Sequence, residues 1–169
     1  MRRLRCGLLL VLLGVVLAGC GSKAPRKLHE KEGGFSYDPP AGWQVKEMPG
    51  QKYRIAFGPT ENGLAPNINV MTDTASMDLD EYLDKGLETM KRTGTISSEP
   101  SRQRFATEDG EKGYYWTFDY TMLNHALRAR QYFFEKGDRK YVFTCTTSAD
   151  TGAALDPVFE ASAKSFRLD

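Results

Sequence analysis

The chain has 169 residues, 40% of them hydrophobic and 27% charged, a size that suits one domain with one core. Its 23 basic and 22 acidic side chains give a formal net charge of +1, which supplies no concentrated basic face for nucleic acid. Two of the three cysteines, Cys6 and Cys20, lie at the N-terminus, so Cys145 alone remains and no internal disulfide can form.

Arg2, Arg3 and Arg5 make a basic start, and Leu8 to Leu17 make an apolar run that ends at Gly19 and Cys20. Gly7 to Gly19 is 13 residues, well short of the ~20 needed to cross a bilayer, so residues 1–19 read as a signal sequence rather than an anchor. Leu17-Ala18-Gly19-Cys20 resembles the lipobox of bacterial lipoproteins. That resemblance implies cleavage before Cys20, a diacylglycerol on its sulfur and palmitate-type acyl chains that hold the protein on a membrane. The alternative is an ordinary secretory signal with a chance cysteine. Gly21, where Asp would mark retention, resembles the pattern sent to the outer membrane, on its periplasmic side, in a bacterium with two membranes. Without residues 1–19 the chain carries 20 basic and 22 acidic side chains, a formal balance of −2.

Residues 20–34 read as the lipidated N-terminus and a flexible, polar tether bounded by Gly33 and Gly34. His29, Glu30 and Glu32 fall within it, where a solvated spacer is a better account than a metal cluster. The folded domain is expected over residues 35–169. Phe35 to Asp38 reads as a short strand stopped by Pro39-Pro40, and Gly42-Trp43 turns the chain into Gln44 to Glu47. Tyr53 to Phe57 and Asn67 to Thr72 alternate as strands with one wet face.

Asp78 suits an N-cap, with Glu81 three positions on. Leu79, Tyr82, Leu83, Leu87 and Met90 then recur at helical spacing until Gly94. Ile96 to Thr107 is expected as a strand, joined by the turn from Asp109 to Gly113 to the clearest β pattern in the chain. There Tyr114, Trp116, Phe118, Tyr120 and Met122 share one face. Leu127 to Lys136 and Arg139 to Thr147 form a hairpin across Gly137-Asp138. His125 is placed on the connection before it. Asp150 to Phe166 closes the chain as a helix with a stripe of Leu155, Val158, Phe159, Ser162 and Phe166, and Pro157 is read as lying acceptably near its start.

The element order predicts an α+β domain. Phe35-Ser36-Tyr37-Asp38-Pro39-Pro40-Ala41-Gly42-Trp43 resembles the entry motif of the PsbP-like superfamily. Ala65-Pro66-Asn67-Ile68-Asn69-Val70 resembles a strand of its bacterial lipoprotein branch, which includes the DcrB-type proteins. The resemblance implies an α/β/α sandwich with a central, mostly antiparallel sheet flanked by helices. Members of the superfamily bind other macromolecules and are not known for catalysis, which implies a binding protein here, while nothing in this chain matches a chlorophyll or manganese environment.

Read as residues, Trp43 is an apolar anchor at a sheet edge. Asn67 and Asn69 share a strand face and either bond neighbouring loops or line a polar recognition surface. Arg128 and Arg130 alternate with Tyr132 on another strand, as a solvated face or as a partner surface. Cys145 reads as a buried small hydrophobe. Gly-x-Ser-x-Gly, His-x-x-x-His, a cysteine pair and a phosphate loop are all missing from the sequence, so no catalytic residue, metal ligand or cofactor is assigned. The expected function is a membrane-anchored envelope lipoprotein that binds a protein partner or supports an assembly. The alternative is a module for a small molecule or an envelope glycan. The residues expected to act are Cys20 for the lipid and Asn67, Asn69, Arg128, Arg130 and Tyr132 for the partner.

Overall fold

A computed structural model describes residues 27–61, 63–96 and 99–169. Residues 1–19, expected as a signal, and Cys20, expected to carry the lipid, lie outside the described residues. Ten strands and two helices follow in the order β1 Leu28–Glu30, β2 Phe35–Tyr37, β3 Gln44–Lys46, β4 Ile55–Phe57, β5 Asn67–Thr74, α1 Leu79–Arg92, β6 Gln103–Ala106, β7 Lys112–Met122, β8 His125–Lys136, β9 Arg139–Ser148, α2 Gly152–Lys164 and β10 Arg167–Leu168.

Seven strands form an antiparallel sheet in the order β3-β4-β5-β9-β8-β7-β6. β9 is buried from Lys140 to Thr147 because it lies at the centre with both faces covered. That explains its unbroken Tyr141-Val142-Phe143-Thr144-Cys145 run, which does not alternate.

On one face α1 packs Leu79, Leu83 and Leu87 against Trp116, Phe133 and Val142. On the other, α2 brings Phe159 and Ala163 onto Tyr132, Phe134, Phe143 and Cys145, beside a small second sheet in the order β1-β2-β10. The domain is therefore an α+β sandwich about a central antiparallel sheet.

Local chemistry explains most of these elements. Asp78 Oδ1 accepts the Glu81 N–H at 2.8 Å and starts α1, while Glu81 spends its own carboxylate on Lys85 one turn later at 2.8 Å. Gly94, at φ +69°, ends the helix in the left-handed region that a side chain disfavours. Lys136 pairs with Arg139, so Gly137-Asp138 is the two-residue turn the pattern implies.

Four expectations are corrected. The domain starts at Leu28, not Phe35: Leu28 is buried opposite Tyr37, and Arg139 Nη1 donates to the Gly33 carbonyl at 3.0 Å. Residues 28–34 thus belong to the folded domain, with Leu28 in its core; a three-residue strand gives too little apolar period to stand out from a polar spacer in the sequence. His125 is the first residue of β8 rather than part of a connection. The strand expected over residues 96–107 is only β6, since Ile96 instead packs in the α1 core. Pro157 lies inside α2, in its second turn and not at its start.

Cys145 is fully buried, and burial pushes its thiol well above the ordinary range and keeps it neutral. The native protein is therefore expected to react with a thiol reagent at least 100-fold more slowly than the denatured chain, as followed by mass. Comparable rates would show that β9 is open to solvent.

Candidate functional site

The five residues expected to form a partner surface do not come together. Through the register of β5 on β9 and β9 on β8, Asn67 and Asn69 share the α1 face with Thr146, Thr144 and Gln131. Arg128, Arg130 and Tyr132 have the opposite parity and lie on the α2 face.

Two of these three are also removed from solvent. Tyr132 is 0% exposed and Arg130 is 8% exposed. The Arg130 guanidinium reaches Asp156 at 3.1 Å and Glu160 at 3.4 Å on α2 and lies 4.4 Å from the Tyr115 ring centre. Arg130 is thus a clamp between α2 and the sheet, and burial raises the Tyr132 hydroxyl far above its usual range. Only Arg128 stays near the surface, held by both carboxylate oxygens of Asp119 at 2.7 and 3.0 Å. Arg130 and Tyr132 accordingly cannot serve as a partner surface.

His125 is exposed, next to the β7–β8 turn, and makes no side-chain hydrogen bond among the described residues. Among the described residues no group of three His, Cys, Asp or Glu side chains could hold a metal ion. No helix among them is long and apolar enough to cross a membrane.

What the fold does build is a cleft of about 690 Å³ between α1 and the sheet. Trp116, Gln131, Phe133 and Val142 form its floor, and Tyr82, Gly86 and Met90 form its helical wall. These three wall residues stand four apart on one stripe of α1, beside the buried leucine stripe. A Cβ on Gly86 would meet nothing within 4 Å. Gly86 is exposed and adds no side chain to that wall, although glycine inside a helix lowers its stability.

The polar groups of the floor are already engaged. The Trp116 indole N–H donates to Gln131 Oε1 at 2.9 Å, and Gln131 Nε2 donates to Thr144 Oγ1 at 3.2 Å. At the mouth, the Tyr82 hydroxyl donates to Asp73 Oδ2 at 3.4 Å, and burial, helped by that carboxylate, raises the tyrosine above its normal range. Outside, Arg102 Nη1 holds Asp80 at 3.0 Å and Tyr114 Oη donates to the same carboxylate at 3.1 Å, which fixes α1 over the sheet. Met71, opposite Val142 and 52% exposed, continues the apolar floor beyond the mouth. Gly86 and Gln131 had a faint trace in the sequence, as a glycine inside an amphipathic helix and an amide on an otherwise apolar strand face.

This architecture is a PsbP-like fold. The chain is similar to LpqN, described as involved in cell envelope biogenesis of Mycobacterium tuberculosis, at 13% identity and a TM-score of 0.64 over 85% of this chain and 89% of that one. It is similar also to cyanobacterial PsbP from Synechocystis sp. PCC 6803, at 15% identity and a TM-score of 0.56 over 90% and 99% of the two chains. A protein of unknown function from Pseudomonas aeruginosa shares the fold at 13% identity and a TM-score of 0.56, over 72% and 94%. No protein-family model and no curated protein matches the sequence.

Proposed function

We propose that the protein is a non-catalytic binding module of the cell envelope, held on a membrane by a lipid on Cys20, which takes an apolar segment of a partner protein into the cleft between α1 and the sheet. The observation that carries this reading is the cleft itself: half-buried Tyr82 and Met90 flank Gly86 on its wall, exposed Met71 extends its floor, and beneath them buried Trp116, Phe133 and Val142 give it a rigid apolar base. With the floor's Trp116 and Gln131 already bonded, recognition at the floor rests on apolar contact, which suits a partner's side chains, while the Ser76 and Thr89 hydroxyls line the rim. A fold shared with LpqN, a protein involved in cell envelope biogenesis, supports the envelope setting. The cleft volume also lies in the range of small-molecule sites and favours, as a second reading, an amphipathic small ligand.

Gly86→Leu separates binding from folding. The new side chain fills the cleft, and replacing a helical glycine adds about 0.5–1 kcal/mol of stability. With a photo-crosslinking residue in place of exposed Thr89 at the cleft, membranes are expected to yield one discrete protein adduct that Gly86→Leu removes while Tm rises by a few degrees. An adduct unchanged by Gly86→Leu would place the partner elsewhere. A small molecule retained by the purified protein in native mass spectrometry and lost in the variant would favour the second reading.

A further inference from the structure

A second exposed apolar feature lies at the far tip of the β7–β8 hairpin. Met122 is 52% and Leu123 85% exposed. Met122 pairs with His125, so Leu123 and Asn124 are the whole turn, and their φ angles of +50° and +64° are both left-handed. Asn tolerates that region, but a leucine rarely enters it, and glycine or asparagine is the usual choice at the first turn position. The turn thus carries a strained, solvent-facing leucine that makes no core contact. Such a residue points to a role outside the fold. No Asp or Glu occurs from Tyr120 to Leu127, and Asp119 just before is paired with Arg128. Exposed Asp150, on the loop beside Ala126, confines the apolar contact to the tip itself.

The tip and the N-terminus leave the domain at the same end. Leu127 lies between Tyr120 and Ser148, so the tip stands at the Ser148 end of β9. β2 runs toward that end, because Phe35 packs on Tyr141 and Tyr37 on Phe143, two residues nearer Ser148. β1 is antiparallel to β2, so the chain traced back from Glu30 to Leu28 also heads there. Tyr132 pairs with Phe143 and is seven residues from His125 on β8, which carries the tip roughly 23 Å past the level of Tyr37. Eight residue steps separate Leu28 from Cys20, a reach of at most roughly 28 Å. The tip and Cys20 can therefore meet one plane.

We propose that Met122 and Leu123 enter the interface of the bilayer that holds the lipid on Cys20, as a second point of attachment that orients the domain. The proposal rests on the lipidation of Cys20 in the reading above. With the tip in the interface, the cleft mouth at Asp73 to Met77 lies at the opposite end of the sheet, where Thr74 pairs with Arg139, and faces away from the membrane.

The test uses the full-length processed protein reconstituted in phosphatidylethanolamine–phosphatidylglycerol vesicles, with an environment-sensitive fluorophore on Leu123→Cys or, at the far turn, on Asp138→Cys. Buried Cys145 leaves the introduced thiol as the labelling site. Brominated lipid is expected to quench position 123 at least fivefold more than position 138, and aqueous iodide to do the reverse. Leu123→Asn, which suits the turn, is expected to melt no lower than wild type; a lower Tm would show a folding role and overturn the proposal. Position 123 shielded from iodide yet untouched by brominated lipid would mean a protein contact and would also overturn it. Equal iodide access at both positions in protein whose intact mass includes diacylglycerol would sink the tip alone. A mass without diacylglycerol would sink the anchor and with it the two-point attachment.

Discussion

Gly113→Ala is expected to destabilise the domain by roughly 3 kcal/mol or more. A Cβ at Gly113 would stand 2.0 Å from the Phe133 carbonyl oxygen and 2.9 Å from Cδ1 of Phe134. The carbonyl is backbone in the adjacent strand, so relief requires β7 and β8 to separate near their join with β6. Phe105 on β6 pairs with Gly113 and packs 4.6 Å from the Tyr132 ring, so the movement would spread into the core under α2. Chemical denaturation should show a lower midpoint with an unchanged slope. A loss under 1 kcal/mol would mean that the two strands are not this close in solution.

Phe166→Ala is the second. Phe166 follows α2 and is fully buried, stacked on Phe134 at 5.0 Å and on Phe35 at 5.5 Å, with Tyr141 and Phe143 edge-on at 6.0 and 5.7 Å. It therefore joins the small sheet, the large sheet and α2 at one point. Truncating a buried phenylalanine costs about 3–5 kcal/mol through lost transfer energy and the cavity left behind, a large share of a domain's total of about 5–15 kcal/mol. The variant should melt well below wild type and expose Cys145 to thiol reagents, because the thiol lies in the same cluster. Retention of the wild-type labelling rate would show that the cluster closes around the gap. Gly86→Leu, by contrast, should raise stability while it removes binding, and the opposite signs tell a site residue from a core residue.

Element types were legible wherever local periodicity was long. The leucine steps of α1 and the aromatic alternation of β7 each match one regular spacing over many residues, and both elements stand where the spacing puts them. Short elements were not. Leu28–Glu30 and Arg167–Leu168 become strands only because β2 lies between them, and neither has a period of its own.

The partner surface failed for a related reason. Alternation within β5 correctly groups Asn67 with Asn69, and alternation within β8 groups Arg130 with Tyr132, but no local signal tells which side of the sheet either group faces. That depends on strand register, which is set by pairing residues far apart in sequence. Arg130 shows the difficulty most sharply. An arginine alternating with tyrosines reads as exposed, yet Asp156 and Glu160 arrive from a helix 26 and 30 residues away and make its burial tolerable.

The sequence by itself determined the basic and apolar start, the position of Cys20, the α+β class, helices α1 and α2 and the apolar setting of Cys145, because each rests on composition or on contacts within a few residues. Only the tertiary structure decided which strand faces carry α1 and α2, that Gly86 lines a cleft over Trp116, and that Leu123 stands strained and exposed at a tip on the side where β1 begins. Those features come from register and layer packing, in which side chains far apart in sequence compete for one volume, and no pattern along the chain records who wins.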